Sequence, residues 1–347
     1  MQNARTEDLK HILCHTESLF QDLCDKKIFI TGGTGFFGKW LLESFIWANT
    51  QLKLNAQMYV LSRDPEAFSK GYPHLANADG IVFHQGDVRS FDFPQVEIDY
   101  VIHAATEASA KLNQEKPLLM IDTIIEGTRR VLEFSRVSGV KRFLLTSSGA
   151  VYGKQPPDIS HVSEDYVGAP DPLQPYSAYG EAKRMAELLC AIYQKNYNIE
   201  AVIARCFAFV GPYLPLDIHY AIGNFIRDGL NGDPIVVKGD GTPYRSYMYA
   251  SDLSIWLWKL LFQGKSGEAY NVGSDEAISI KDLAYSVSSC FTNNPEVVIA
   301  EFPIQGQPAV RYVPSISKFK ETLGMNSRTN LKESLKRTIE WHKQSRQ

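Results

Sequence analysis

Along the chain, short apolar runs alternate with longer stretches whose apolar positions recur on a helical period. Lys27–Thr31, Met58–Leu61, Ile81–His84, Tyr100–His103, Arg142–Thr146 and Glu200–Arg205 read as strands, and Gly38–Ala48, Pro117–Ser138 and Ala178–Lys195 as helices. Apolar strands spaced by helices of that length predict parallel β-α-β units, hence an α/β, Rossmann-like doubly wound sheet. Ahead of this frame, residues 1–25 carry Leu9, Ile12, Leu13, Leu19 and Leu23 on a rough helical period. They predict a helical extension acting as a cap or an oligomer contact.

After residue 205 the rhythm breaks. Gly211-Pro212-Tyr213, Gly239-Asp240-Gly241 and Pro243-Tyr244 punctuate short strands, helices expected over Ile218–Leu230 and Leu253–Phe262, and a closing helix over Asn330–Lys343. A nucleotide-binding domain over residues 26–205 is therefore expected, with residues 206–347 forming mainly a smaller mixed α/β substrate lobe. That lobe should lie over the carboxyl ends of the strands, where such sheets bind ligands, with some of its chain returning to the core.

A net charge of −3 supplies no basic field, so no nucleic-acid partner is expected. The apolar runs fall short of a membrane span, so no membrane partner is expected either. Cys14, Cys24, Cys190, Cys206 and Cys290 are odd in number and lack paired C-x-x-C spacing, which favours reduced thiols and a cytoplasmic location. Cys190 and Cys206 sit among apolar neighbours as core positions, and no metal is expected.

The first strand runs into Gly32, Gly35 and Gly38, a G-x-x-G-x-x-G turn that opens a helix. Glycine allows the tight turn and lets backbone approach a pyrophosphate, while the helix start, at Phe36 and Phe37, offers unpaired N–H groups to it. A plain β-α turn is the alternative, but the strand-turn-helix setting favours a dinucleotide. The second strand ends in Ser62-Arg63-Asp64 rather than in a lone acid. A serine and a guanidinium suit the 2′-phosphate of NADP; the alternative has Asp64 on the ribose of NAD and Arg63 as a surface residue. Asp87-Val88 follows the third strand, where the acid either accepts from an adenine amino group or makes a turn. Ala104 and Ala105 end the fourth strand with room for a cofactor to pass, and His103 before them reads as a core histidine.

Chemistry enters with Ser148 at the end of the fifth strand and with Tyr179 and Lys183 four apart on one helical face. A phenol of pKa about 10 is a poor base until a nearby ammonium stabilises its phenolate. Ser148 can hydrogen-bond the same substrate oxygen. Tyr-x-x-x-Lys alone is common by chance; with the glycine turn and the strand-end serine it is not.

The segments Thr31–Gly38 and Ser147–Gly153, together with Tyr179-x-x-x-Lys183, resemble the extended short-chain dehydrogenase/reductase family, within it the nucleotide-sugar epimerases and dehydratases. The resemblance runs from about Lys26 to the C-terminus. It implies Ser148, Tyr179 and Lys183 as catalytic residues, Lys183 also on the nicotinamide ribose, and Asp87 near the adenine. It implies Arg245, in Gly239–Ser246, and Asn224, in Gly223-Asn224-Phe225, as substrate contacts, with Arg311 as a second phosphate contact. By analogy it implies a homodimer built through Pro117–Ser138 and Ala178–Lys195. Three departures stand out. Gly149-Ala150 replaces the Asp-Glu pair of the 4,6-dehydratases, Arg205-Cys206-Phe207-Ala208 replaces Arg-x-Phe-Asn, and the asparagine before Gly127-Thr128 is missing. The leading expectation is a nucleotide-sugar 4-epimerase working through a 4-keto sugar. The alternatives are an NADPH-dependent 4-keto reductase, a 4,6-dehydratase using Glu107 or Glu164, and, outside enzymes, an NADP-binding redox sensor.

Overall fold

The computed structural model describes residues 2–106, 110–218, 220–325 and 329–346. Seven strands form the central sheet: β1 (Lys27–Thr31), β2 (Gln57–Ser62), β3 (Ile81–Gln85), β4 (Tyr100–His103), β5 (Arg142–Ser148), β6 (Glu200–Cys206) and β7 (Ala269–Val272). They lie in the order β7-β6-β5-β4-β1-β2-β3, and every pairing is parallel. Both faces are covered, which is why these strands read as unbroken apolar runs. On β1, Ile28 and Ile30 enter one hydrophobic cluster and Phe29 enters the other, as the two-residue period of a strand requires.

Five helices matter for the site: α1 (Gln2–Phe20), α2 (Phe36–Leu52), α3 (Pro117–Val137), α4 (Ala178–Tyr197) and α5 (Ala250–Gln263). The six strands and the long helices expected from the sequence are present with ends displaced by a few residues. The strand that periodicity does not reveal is β7, four residues long and preceded by sixty residues of mixed structure. It completes the sheet beside β6, and α5 packs in the same hydrophobic cluster.

The apolar stripe of α1 is spent inside the chain. Leu9, Ile12 and Phe20 join the cluster that includes α2 and α5. Next to them Asp8, 1% exposed, accepts from the Tyr249 hydroxyl at 2.7 Å and from Arg337 at 2.6 Å. The extension is therefore a cap on its own fold. In the C-terminal lobe Ile222, Phe225, Ile226, Val237 and Leu283 make a separate small core.

Candidate functional site

The expected cofactor and catalytic residues fall at or just beyond the carboxyl ends of β1 to β5 and at the start of α4. Gly32 ends β1 with φ +72°, and a Cβ on it would lie 2.3 Å from the Ala104 carbonyl oxygen. A Cβ on Gly38 would lie 2.3 Å from the Gly32 carbonyl oxygen. Only glycine satisfies these two approaches, and together they draw the start of α2 against the crevice between β1 and β4, where the strand order reverses. Gly35 stands at the N-cap of α2 without a capping side chain, so the first-turn N–H groups of Phe36, Phe37 and Gly38 are left for a ligand. The two phenyl rings pack on the core, with Phe37 edge-on to Phe209 at 5.0 Å. This cradle fits a dinucleotide pyrophosphate.

At the end of β2 a cavity of about 260 Å³ is lined by Thr34, Ser62, Arg63, Asp64 and Phe68. Asp64 is already engaged, since its Oδ1 accepts from the Ala67 N–H at 2.9 Å and caps the helix Pro65–Gly71. Asp87 is engaged as well: Oδ1 accepts from the Arg89 N–H and Nε, both at 2.9 Å, and Oδ2 from Nη2 at 3.1 Å. That hydrogen bonding holds its carboxyl below the usual range. Val88 turns its side chain into the core against Gly127. The Ala104 and Ala105 N–H groups both donate to Thr31 Oγ1 at 3.2 Å, which tightens the floor of the crevice. His103 lies between Thr31 at 2.7 Å and Thr128 at 3.0 Å, and burial drives its pKa down to about 3, so it is a neutral core residue.

The catalytic candidates converge. Asn113 Oδ1 accepts from the Tyr179 N–H at 2.9 Å, while its Nδ2 donates to the Tyr176 carbonyl at 2.8 Å, which anchors the start of α4. A Cβ on Gly180 would lie 2.9 Å from the Ala150 carbonyl oxygen, so this turn of α4 lies hard against the end of β5. Lys183 is buried; its ammonium donates to the Thr146 carbonyl at 2.8 Å and to Thr106 Oγ1 at 3.0 Å, and stands 6.0 Å from the Tyr179 ring centre. Burial lowers its pKa to about 8. Burial also pushes the Tyr179 phenol upward, and the Ser148 hydroxyl opposes that shift. Behind this pair Glu187 accepts from Ser147 at 2.5 Å and from Arg205 at 2.7 Å, clamping α4 to β5 and β6.

The substrate-side candidates separate. Arg245 and Tyr312 are register partners on two short parallel strands and share one face, with the guanidinium 5.9 Å from the ring centre. Arg311 falls on the other face, stacked 4.3 Å over Tyr244. Strand alternation separates the two arginines. Asn224 Oδ1 accepts from Arg227 at 3.2 Å. Glu164 accepts from the Asn271 N–H at 2.7 Å, and Glu107 lies outside the described residues.

Sequence reading missed Thr34, Phe68, Thr106, Asn113 and Tyr312. Thr106 and Asn113 reach α4 from 77 and 66 residues away, a distance at which no local motif operates. Cys206 is buried as expected, its thiol pushed up to about 12, yet it is also the register partner of Ser148.

Comparison with known proteins agrees with this geometry. The chain is 32% identical over 310 residues to UDP-glucuronic acid decarboxylase 6 of Arabidopsis thaliana, covering 89% of this chain and 86% of the relative. It superposes on UDP-glucose 4-epimerase of Thermotoga maritima with a TM-score of 0.78 at 24% identity, covering 92% of this chain and 100% of that one. It superposes on dTDP-glucose 4,6-dehydratase of Bacillus anthracis with NAD at a TM-score of 0.75 and 19% identity, covering 92% and 97%. The model of the NAD dependent epimerase/dehydratase family matches residues 28–273, and the chain belongs to that family.

Proposed function

We propose that the chain is a sugar-nucleotide 4-epimerase working through a transient 4-keto sugar. The observation that carries the reading is the pairing of Ser148, Tyr179 and Lys183 with a strand end at which the Tyr312 hydroxyl, not a carboxylate, stands over Gly149. Tyr179 takes the proton of the C4 hydroxyl at its phenolic oxygen, Ser148 orients that oxygen, and the Lys183 ammonium favours the ionised phenol. A bound nicotinamide supplies hydride acceptance and return. The protein positions the sugar and excludes water while the keto sugar presents its other face. Elimination of water across C5 and C6 calls for a further acid and base, and Gly149-Ala150 supplies neither.

The relatives favour a second reading, decarboxylation. A ketone at C4 makes a C6 carboxylate a β-keto acid: the C5–C6 bond breaks, its electrons enter the enolate, and C5 takes a proton. Both readings share the first oxidation. Incubation with UDP-glucose and with UDP-glucuronic acid, followed by mass and NMR, separates them. An isomer of unchanged mass supports epimerisation, loss of carbon dioxide supports decarboxylation, and inertness toward a panel of sugar nucleotides sinks both.

Our cofactor preference is NADP, because Ser62 and Arg63 line the ribose-end cavity while the Asp64 carboxylate caps a helix. Our oligomer is a homodimer through α3 and α4. Met185, Leu188 and Ile192 form an exposed apolar stripe on α4, with Leu118 exposed on α3. All five cysteines are free and no helix among the described residues is long and apolar enough to cross a membrane; we favour the cytoplasm.

A further inference from the structure

We infer that Thr106 is a positioning residue for Lys183: its hydroxyl orients the ammonium and supports its charge beside Tyr179. The inference rests on the role proposed above for Lys183. Thr106 stands just past β4 on a floor that is itself tied down. The Ala104 N–H donates to the Thr31 carbonyl at 3.1 Å, and the Ala104 and Ala105 N–H groups donate to Thr31 Oγ1 at 3.2 Å. The Thr106 N–H closes a tight turn onto the Ala104 carbonyl at 2.9 Å. A hydroxyl fixed this way can fix what binds to it.

Hydrogen-bond capacity sets the direction of each bond. A threonine hydroxyl has one proton and two acceptor positions, and an ammonium has three protons and no acceptor. Thr106 Oγ1 gives its proton to the Ala105 carbonyl at 2.8 Å, so it meets Lys183 as an acceptor, at 3.0 Å. A second ammonium proton goes to the Thr146 carbonyl at 2.8 Å. With two of the three protons placed, the direction of the third is set as well, and the Tyr179 ring centre stands 6.0 Å from the nitrogen. Both acceptors are neutral, and each reduces the cost of burying the charge. Among the described residues, the ionisable groups facing the ammonium are Tyr179, Glu187 and Cys190 on α4, Cys206 on β6 and His103 on β4. His103 is neutral, burial pushes both thiols upward, and Glu187 is engaged by Ser147 and Arg205. The place of α4 does not depend on Thr106, because Asn113 and Glu187 clamp the helix separately.

Thr106→Val keeps the shape and removes the acceptor, while Thr106→Ser keeps the hydroxyl and gives up the methyl. Losing one of two acceptors disfavours the buried ammonium, so the Lys183 pKa falls further below its ordinary value. The expected result in Thr106→Val is a kcat about tenfold lower near neutrality with KM little changed. That deficit widens as pH rises toward 8, where the parent's own lysine gives up its proton. Thr106→Ser should return most of the rate, which a packing role would not allow. A substrate-free readout stands beside it. In protein carrying isotope-labelled lysine, Lys183→Met marks the Lys183 signal for titration by NMR. The midpoint should fall by about one pH unit in Thr106→Val and stay in place in Thr106→Ser. An unmoved signal in Thr106→Val, or a Thr106→Ser protein that behaves like Thr106→Val, overturns the inference. So does a Thr106→Val enzyme as fast as its parent. A moved signal in a protein inert to every sugar nucleotide supports the inference and removes only the functional reading.

Discussion

The role proposed for Lys183 sets function against stability. Its pKa is lowered to about 8 because burial penalises the ammonium, which Thr146 and Thr106 only partly compensate. A lysine with a depressed folded pKa binds fewer protons folded than unfolded between that value and its ordinary one. Its burden on stability is thus full below about pH 8 and is relieved as pH rises toward the unfolded value. Lys183→Met keeps the shape without the charge. Turnover should fall by two or more powers of ten, on the order of a lost acid-base partner, while Tm at neutral pH holds or rises. Calorimetry beside an activity assay checks this, and a large drop in Tm would show that the ammonium is structural.

At the scale of elements, α1 is held by charge as well as by its apolar stripe. Asp8 sits buried between the Tyr249 hydroxyl and Arg337, which ties the N-terminal helix to the start of α5 and to the helix Leu331–Ser345. Burial raises the Asp8 pKa, opposed first by the bond from Tyr249 and then by the Arg337 charge. Asp8→Ala leaves the guanidinium without its buried partner and should cost about 3–5 kcal/mol. Denaturant unfolding measures it, and a cost below one kcal/mol would mean that α1 contributes little. The helical period of residues 1–25 was legible, but the use of its inward face was not. That face meets residues some 240 and 330 positions away, and periodicity carries no address.

Across the whole molecule the stripe on α4 stays exposed among the described residues. Its inward positions, Ala182, Lys183, Ala186 and Cys190, carry the proposed catalytic lysine and the core contacts, while Met185, Leu188 and Ile192 face outward. A dimer through this face would brace the helix that holds Tyr179 and Lys183. Leu188→Glu with Ile192→Glu should reduce the sedimenting mass from two chains to one, with the monomer retaining its far-ultraviolet circular dichroism. A parent protein that sediments as one chain at micromolar concentration would rule the dimer out.

The sheet, the glycine cradle and the Tyr179–Lys183 pair were legible because each is local: a two-residue period, a close approach at Gly32 and Gly38, a four-residue helical offset. The seventh strand, the Asn113 anchor, the opposite faces of Arg245 and Arg311, and the place of Tyr312 over Gly149 were decided only in three dimensions. Each joins segments tens to hundreds of residues apart through packing and hydrogen bonds. A local pattern states what a segment can form, and only the folded chain states what that segment meets.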